Sequence, residues 1–265
     1  VVDCAPTGST MRMLRFPDAL RIFMSHFFEL ERKGARLLRP LLRRLDAGRL
    51  LPREEFFDAF ERLYEEIESV SRILLDAERT SARLVVNPTR VVVEETRRSF
   101  AYLSLYGIAT DAVLVNRVMP EAVGEGYFSR WRDREREELQ AIEQSFPVPI
   151  RRVSLRPWEV VGVPALEALG RDLFGDVDPA ARLAEGRPLR IRRAGGRTRL
   201  ELDLPGIEKG EVEVAARGDA LHLRVRDMRR ALTLPDSLVG RAIERVRLRP
   251  PVLEIQFAER IDDDR

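Results

Sequence analysis

An acidic residue followed by a short loop containing proline and glycine opens the chain. Asp3 follows two valines, and Pro6, Thr7 and Gly8 come after it. Valines before an acid are typical of the end of a buried strand, and the loop predicts a strand-to-helix turn. A carboxylate placed there can hold Mg²⁺ or a water molecule, and a glycine lets the backbone approach a phosphate closely. Asp3 and Gly8 are therefore candidates for catalytic roles, and Pro6 and Thr7 for nucleotide contacts. The alternative is that Asp3 only caps the following turn.

An asparagine at the end of a later apolar run is a second candidate for ligand contact. Asn116, followed by Arg117, closes the run 111–115. Its amide can both donate a hydrogen bond to the edge of an adenine base and accept one from it. Open parallel sheets bind ligands outside the carboxyl ends of their strands, where Asn116 is predicted to lie. The alternative is that Asn116 only caps its strand.

The elements that would position these residues alternate between strands and helices. Three short apolar runs predict buried strands, and each is followed by a helical segment. The predicted strands cover residues 82–86, 111–115 and 148–153, and the predicted helices cover 88–106, 121–144 and 164–174. Asn87 is expected to cap the first of these helices and Gly107 to end it. This order predicts an α/β fold with part of a doubly wound parallel sheet.

A helical insertion is predicted between the opening loop and the first strand, over about residues 17–80. Gly48 and Pro52 divide it into two helices, because both residues disfavour a helix interior. The apolar faces of these helices include Phe23, Met24, Phe27, Phe56 and Phe60. These side chains either pack the two helices together, as an apolar stripe at helical spacing usually does, or line a groove for an apolar client.

The character of the sequence changes after residue 175. Residues 176–188 are predicted to form a linker containing Gly, Asp and Pro. Residues 189–259 alternate between apolar and polar residues with a period of two and are interrupted by glycine turns, which predicts a small antiparallel β-sandwich. Residues 260–265 are a charged tail. A sandwich of this kind can dock onto its own chain, dimerise or bind another protein.

The opening run, residues 3–12, resembles Asp-Thr-Ala-Pro-Thr-Gly-His-Thr-Leu-Arg, the second switch motif of the ArsA-type ATPases. That family includes the arsenite-pump ATPase and the ATPases that target tail-anchored membrane proteins. Cys4 and Ser9 depart from the motif, which has Thr and His at these positions. The resemblance implies a P-loop NTPase fold that binds ATP and Mg²⁺. It also implies that Asp3 lies in the magnesium shell and that its loop moves when ATP binds and leaves.

Two further segments resemble nucleotide-binding parts of the same family. Asn116-Arg117 resembles its adenine-reading pair, and Leu155-Arg156-Pro157 resembles the segment that closes over the base. The resemblance therefore implies that all five residues contact ATP. By the same analogy the protein is expected to be a homodimer.

The β-region resembles the α-crystallin domain of the small heat-shock proteins. Residues 203–207 and 230–235 carry this resemblance. It departs at residues 249–251, Arg-Pro-Pro, where a glycine-containing turn is usual, and in the tail, which has no Ile-x-Ile segment. Bacterial and plastid ArsA-like ATPases that end in an α-crystallin-type domain share this whole order of elements, so the resemblance covers essentially the full chain.

Part of such an ATPase is not in the sequence. The P-loop needs a Gly-Lys step to cradle phosphates, and no Gly-Lys dipeptide occurs in the 265 residues. The first-switch Asp of the family would precede Val1. Residues 1–175 are therefore expected to be the C-terminal part of an ATPase domain, truncated at its N-terminus. We predict that this chain by itself does not hydrolyse ATP.

The composition excludes several other classes of site. The 46 basic and 44 acidic residues are mixed along the chain, so we expect no nucleic-acid partner. With one Cys and two His, a thiol or imidazole metal site is not expected, and the chain cannot form a three-thiol arsenite site. Cys4 is either a redox handle or, as we expect, a small buried replacement for Thr. No apolar run approaches the ~20 residues of a membrane span, so we expect no direct membrane insertion. The low cysteine content and the family resemblance lead us to expect a cytoplasmic protein.

Three functions remain open at this point. The first is an ATPase whose turnover moves a helical surface that handles a membrane protein or another apolar client. The second is the ATPase subunit of an arsenite-efflux pump in the membrane. The third is a non-enzymatic chaperone or scaffold in which the β-region binds clients.

Overall fold

The computed structural model describes residues 1–4, 54–123, 126–194 and 197–258. Contacts divide the chain into two compact units, residues 1–76 and 77–265. In the first unit, residues 1–4 are exposed and outside regular structure, and helix α1 spans Glu54–Leu75. The second predicted helix of the insertion is thereby confirmed. The first predicted helix, with Gly48 and Pro52, lies outside the described residues.

The second unit begins with a parallel sheet and its helices. Its elements are β1 (Ala82–Val86), α2 (Arg90–Tyr106), β2 (Thr110–Val118), α3 (Ser129–Ser145), β3 (Ile150–Ser154) and α4 (Val163–Phe174). The strands lie in the order β1-β2-β3, and both pairings are parallel. Val113 and Val115 of β2 pack with Phe100 of α2 and Ile142 of α3 in one apolar core. The predicted α/β class is confirmed.

Two helix starts differ from the prediction. The N-cap of α2 is Thr89 and not Asn87, because the Thr89 amide donates to the Asn87 carbonyl (2.7 Å) in a tight turn before the helix. Helix α3 begins at Ser129, since the segment before it forms a turn in which the Val123 amide donates to the Pro120 carbonyl (3.0 Å). The predicted end of α2 is confirmed: Gly107 has φ 81°, the left-handed conformation that glycine adopts at low cost.

Residues 189–258 form two antiparallel sheets. The strands are β4 (Leu189–Ala194), β5 (Arg197–Asp203), β6 (Val212–Arg217), β7 (Ala220–Val225), β8 (Met228–Thr233), β9 (Ile243–Arg249) and β10 (Val252–Phe257). One sheet has the order β4-β5-β10-β9 and the other the order β6-β7-β8. Alternate residues such as Leu200, Leu202, Leu253 and Ile255 are almost completely buried. The predicted antiparallel β-region is confirmed.

Helix α2 is shared by the parallel sheet and the β-sandwich. Every residue from Ser99 to Tyr106 is buried, so this half of the helix has no solvent face. On one side the Tyr102 hydroxyl donates to the carboxylate of Asp227 (2.5 Å), and Arg230 donates to the Leu105 carbonyl (2.5 Å). The sandwich therefore docks onto its own chain.

A partly buried ion pair holds the segment between the two folded regions. Arg83 of β1 bonds Asp111 of β2 at 3.1 and 3.2 Å, and Asp111 is 1% exposed. The same guanidinium donates to the carbonyls of Pro179 and Ala181 (both 2.5 Å), and Asp111 accepts from the Leu183 amide (3.1 Å). The predicted linker is thus tied to the sheet by a charge pair whose hydrogen-bonding groups are satisfied.

Replacing Gly206 by Ala should destabilise the docked sandwich. Gly206 has φ +68°, and a Cβ there would lie 2.9 Å from both Cβ and Cδ of Arg97 on α2. We expect the free energy of unfolding to fall by roughly 2–4 kcal/mol, since strain and overpacking act together. Gly218→Ala is the matched control, with φ +61° and nothing within 4 Å of the added atom. Gly218→Ala should lower the free energy of unfolding, measured with urea, by only about 1 kcal/mol. Equal losses for the two variants would contradict close packing of Gly206 on Arg97.

Tyr102 should titrate well above the ordinary range of a tyrosine. Burial first, and then its hydrogen bond to Asp227, raise the pKa of Tyr102 to about 12. The neutral phenol is favoured in the folded state, so its stabilising effect is complete below the ordinary pKa near 10 and is lost as the pH rises through about 12. Ultraviolet titration should show a tyrosine with a pKa near 12 that is missing in Tyr102→Phe. The control Tyr127→Phe should retain it, since the exposed Tyr127 takes no part in the bond between Tyr102 and Asp227.

Candidate functional site

The carboxyl end of β2 contains a distorted pair of residues at the position predicted to contact adenine. The register of β2 with β3 shifts between Val115 and Val118, which places Asn116 and Arg117 in a bulge. Arg117 has φ 60°, a left-handed conformation that costs a non-glycine residue about 1–2 kcal/mol. Its backbone amide donates to Oδ1 of Asn116 (2.9 Å), which fixes the orientation of the Asn116 amide group.

Two of the described arginines have a positive φ, but side-chain hydrogen bonds account for only one of them, Arg226. Arg226 also has a positive φ, 53°, but its side chain donates to Glu211 (2.7 Å) and to the Gly206 carbonyl (3.0 Å). The Arg117 side chain is exposed and has no hydrogen bond or ion pair with any described residue. Strained residues without a structural partner are common at binding sites.

The second predicted contact segment lies beside this bulge. The Leu155 amide donates to the Val118 carbonyl (2.8 Å), so the loop after β3 is attached to the end of β2. Arg156 forms an ion pair with Asp172 of α4, and Leu155 is 47% exposed. The structure therefore brings together Asn116, Arg117 and the loop Leu155-Arg156-Pro157 at one edge of the sheet.

Helix α3 supports the same edge from behind. Both carboxylate oxygens of Glu135 accept from the Met119 amide, at 3.0 and 3.1 Å. Arg132 donates to the carbonyls of Glu121 (3.4 Å) and Val123 (3.1 Å). The backbone that follows the bulge is therefore fixed by side chains of a helix rather than by further strand pairing.

The groups at this edge fit one side of a nucleotide. With its oxygen engaged by Arg117, the Asn116 side chain still offers an NH₂ group that has no partner among the described residues. Such a donor suits the acceptor nitrogens of adenine. Trp158, in the same loop as Leu155, is 69% exposed and presents a flat apolar surface of the kind that stacks on a base.

The residues predicted to contact phosphate are less completely described. Asp3 is exposed and lies outside any strand, as do Val1 and Val2, so the predicted buried strand end is not formed. Cys4 is also exposed, which corrects our expectation of a buried replacement for Thr. Both the strand end and the buried Cys4 were predicted on the assumption that residues 1–4 pack in a core, which they do not. Pro6, Thr7 and Gly8 lie outside the described residues, so their roles stay predictions.

The predicted client groove is described only in part. Phe23, Met24 and Phe27 lie outside the described residues, and Phe56 and Phe60 lie on α1 in a part where only the backbone is described. Further along this helix Leu63, Val70 and Ile73 are 46, 54 and 48% exposed. Both alternatives for the helical insertion therefore remain open.

Sequence reasoning did not find the bulge or the Arg83–Asp111 pair. An acid at the start of an otherwise apolar strand was a signal for the pair, because a buried carboxylate needs a partner. The left-handed conformation of Arg117 had no signal, because residues other than Gly, Asn and Asp seldom adopt it. Among the described residues there is no group of three potential metal ligands, and none of the described helices could cross a bilayer.

The parallel sheet and its covering helices define an α/β region of the P-loop NTPase type, joined to an antiparallel β-region. The family model described as "Anion-transporting ATPase" matches residues 1–175, and the model "HSP20-like domain found in ArsA" matches residues 195–257. The chain belongs to the ArsA ATPase family.

Several curated proteins are similar to this chain. A Chlorobaculum tepidum protein named for an arsenical pump-driving ATPase is 32% identical over 91% of this chain and 60% of that protein. An Aquifex aeolicus protein of the same naming is 32% identical over 94% of this chain and 64% of that protein. ATPase GET3C of Arabidopsis thaliana is 25% identical over 64% of this chain and 44% of that protein. The chain thus spans about three-fifths of the length of the first two relatives.

Replacing Arg117 by glycine tests whether the strain at the bulge serves binding rather than folding. The change removes an unfavourable φ and no side-chain hydrogen bond or ion pair with a described residue, so we expect the free energy of unfolding to stay the same or rise by up to about 1 kcal/mol. Arg226→Gly also removes a positive φ but loses the bonds to Glu211 and Gly206, and it should be destabilising. Urea unfolding of both variants is the measurement. A clear loss of stability in Arg117→Gly would show that the arginine supports the fold.

Proposed function

We propose that in the complete protein this chain forms the adenine side of an ATP site and that the protein hydrolyses ATP. The single observation that supports this most is the strained Asn116–Arg117 bulge, which lies beside the Leu155-Arg156-Pro157 loop at the carboxyl edge of the sheet. Asn116 donates to the base, and the loop covers it. Bound Mg²⁺ would neutralise charge on the phosphates, and Asp3 is the carboxylate assigned to hold it.

The opening loop is assigned the role of a switch. Pro6 and Thr7 contact the nucleotide, and Gly8 lets the backbone reach the terminal phosphate. Movement of this loop on ATP binding and release is passed to the helical insertion that follows it in the chain. That insertion handles an apolar client, such as a segment of a membrane protein, and the working protein is a cytoplasmic homodimer.

The arsenite-pump function is the second candidate, favoured by the names of the relatives from Chlorobaculum tepidum and Aquifex aeolicus. Arsenite is best held by several thiolates, and this chain has one cysteine. In the complete protein, stimulation of ATP turnover by an apolar peptide and not by arsenite supports the client function. The opposite result supports the pump, and no turnover at all supports the non-enzymatic scaffold.

We also propose that the 265 residues by themselves do not turn over ATP, because no Gly-Lys step is present to cradle phosphates. Measurable, Mg²⁺-dependent hydrolysis by the isolated chain would contradict this.

The change Asn116→Asp tests the adenine contact in the complete protein. The aspartate keeps an oxygen that can accept from the Arg117 amide but loses the NH₂ donor, and it adds a negative charge near the base. We expect the KM for ATP to rise by about tenfold or more, as for a lost buried hydrogen bond, with the free energy of unfolding little changed.

Asn87→Asp is the matched control, because Asn87 follows the carboxyl end of the neighbouring strand β1. The same chemical change there should leave the KM for ATP within about threefold, less than the effect of losing one hydrogen bond. Equal effects at both positions would mean that charge at this edge, and not the Asn116 contact, determines binding.

A further inference from the structure

The outward side of the four-stranded sheet is rich in arginine. Residues that alternate with the buried Leu200 and Ile255 point away from the core. At one level of the sheet the registers place Arg192, Arg199, Gln256 and Arg245 side by side on strands β4, β5, β10 and β9. This row contains no carboxylate. We call this outward surface the arginine face.

Ion pairs neutralise only part of the arginine face. Arg190 bonds Asp203 at 2.6 Å, Glu201 accepts from Arg192 at 3.0 Å, and Glu254 lies 3.9 Å from Arg249. Beside the row, Glu244 accepts from the Gln256 side chain (2.5 Å). Arg199 and Arg245 are exposed, and neither has a carboxylate within 4.0 Å among the described residues. The face is therefore positively charged, although the chain as a whole has a net charge of only +2.

Folding does not explain this row. Like charges directly opposite on neighbouring strands destabilise a sheet, and Arg192 lies directly opposite Arg199. On the three-stranded sheet Arg224 also lies opposite an arginine, Arg229, but it forms an ion pair with Glu213 on its other side. Arg199 and Arg245 have no such carboxylate among the described residues, so the arginine row leaves positive charge that an anionic partner would neutralise.

The shape and chemistry of the face favour a lipid surface. The guanidinium group matches phosphate oxygens with two parallel hydrogen bonds, and a sheet presents several such groups in one plane. The only aromatic residue of the four strands, Phe257, is completely buried, so the face offers no ring on which nucleic-acid bases could stack. The row also has no apolar side chain to anchor a peptide.

We propose that the arginine face binds an anionic phospholipid surface. The contact is peripheral: the guanidinium groups of Arg199 and Arg245 bind headgroup phosphates, and nothing enters the hydrocarbon. Because the sandwich is docked on α2, this contact would hold the α/β region beside a membrane. The proposal does not depend on the ATP site, since it concerns other residues on another sheet.

Vesicle sedimentation of the 265-residue chain tests the proposal. The chain should sediment with vesicles of mixed phosphatidylcholine and phosphatidylserine, much less with phosphatidylcholine alone, and less as salt is added. The double variant R199Q/R245Q should bind the mixed vesicles about tenfold or more weakly, since each arginine near an anionic surface adds to binding. R199K/R245K keeps both charges and should stay within about threefold of the parent chain.

The matched control removes the same charge elsewhere. Arg217 and Arg229 are exposed and lie on strands β6 and β8 of the other sheet, so R217Q/R229Q should bind mixed vesicles nearly as well as the parent chain. Circular dichroism confirms that each variant is folded. Equal losses in the two Gln variants, or no binding to mixed vesicles at low salt, would overturn the proposal. So would single-stranded DNA or polyglutamate binding that needs Arg199 and Arg245 while vesicles are not bound.

Discussion

Burial of one half of helix α2 on all sides is the constraint on which the second unit depends. From Ser99 to Tyr106 the helix contacts the parallel sheet on one side and the β-sandwich on the other. A helix buried all round must place its polar groups against partners, and Tyr102 meets Asp227 for this reason. The polar contacts fix where the sandwich lies, and apolar burial provides most of the stability.

The Arg83–Asp111 pair extends the same arrangement to the chain between the two regions. Charges at the base of β1 and β2 would be costly if they were left alone, so they are matched to each other and to backbone groups of residues 179–183. A segment that would otherwise be a free linker is thereby fixed along the sheet. The sandwich is held at α2 and also through the segment that leads to it. Both attachments limit its movement relative to the α/β region.

The carboxyl end of β2 has a different character. There the backbone departs from regular pairing at Asn116 and Arg117, and side chains of α3 and the loop after β3 support it. The regular part of the sheet is a rigid base. At its irregular end, the bulge and its supporting side chains orient hydrogen-bond donors such as the Asn116 NH₂ group. This division between a stable base and strained ends is common where open sheets bind ligands.

The sequence by itself determined the elements and their class, because hydrophobic periodicity is a local property. The run Ala82–Val86 and the alternation around Leu200 and Leu253 each required a particular element. It placed Asn116 at the end of its strand, whereas the strand continues to Val118 and Asn116 lies in a bulge before that end. Only the tertiary structure decided the conformation of Arg117, the row of arginines across four strands and the docking of the sandwich on α2. Tyr102 and Asp227 are 125 residues apart in the chain, and no local pattern can specify which of two distant surfaces will meet.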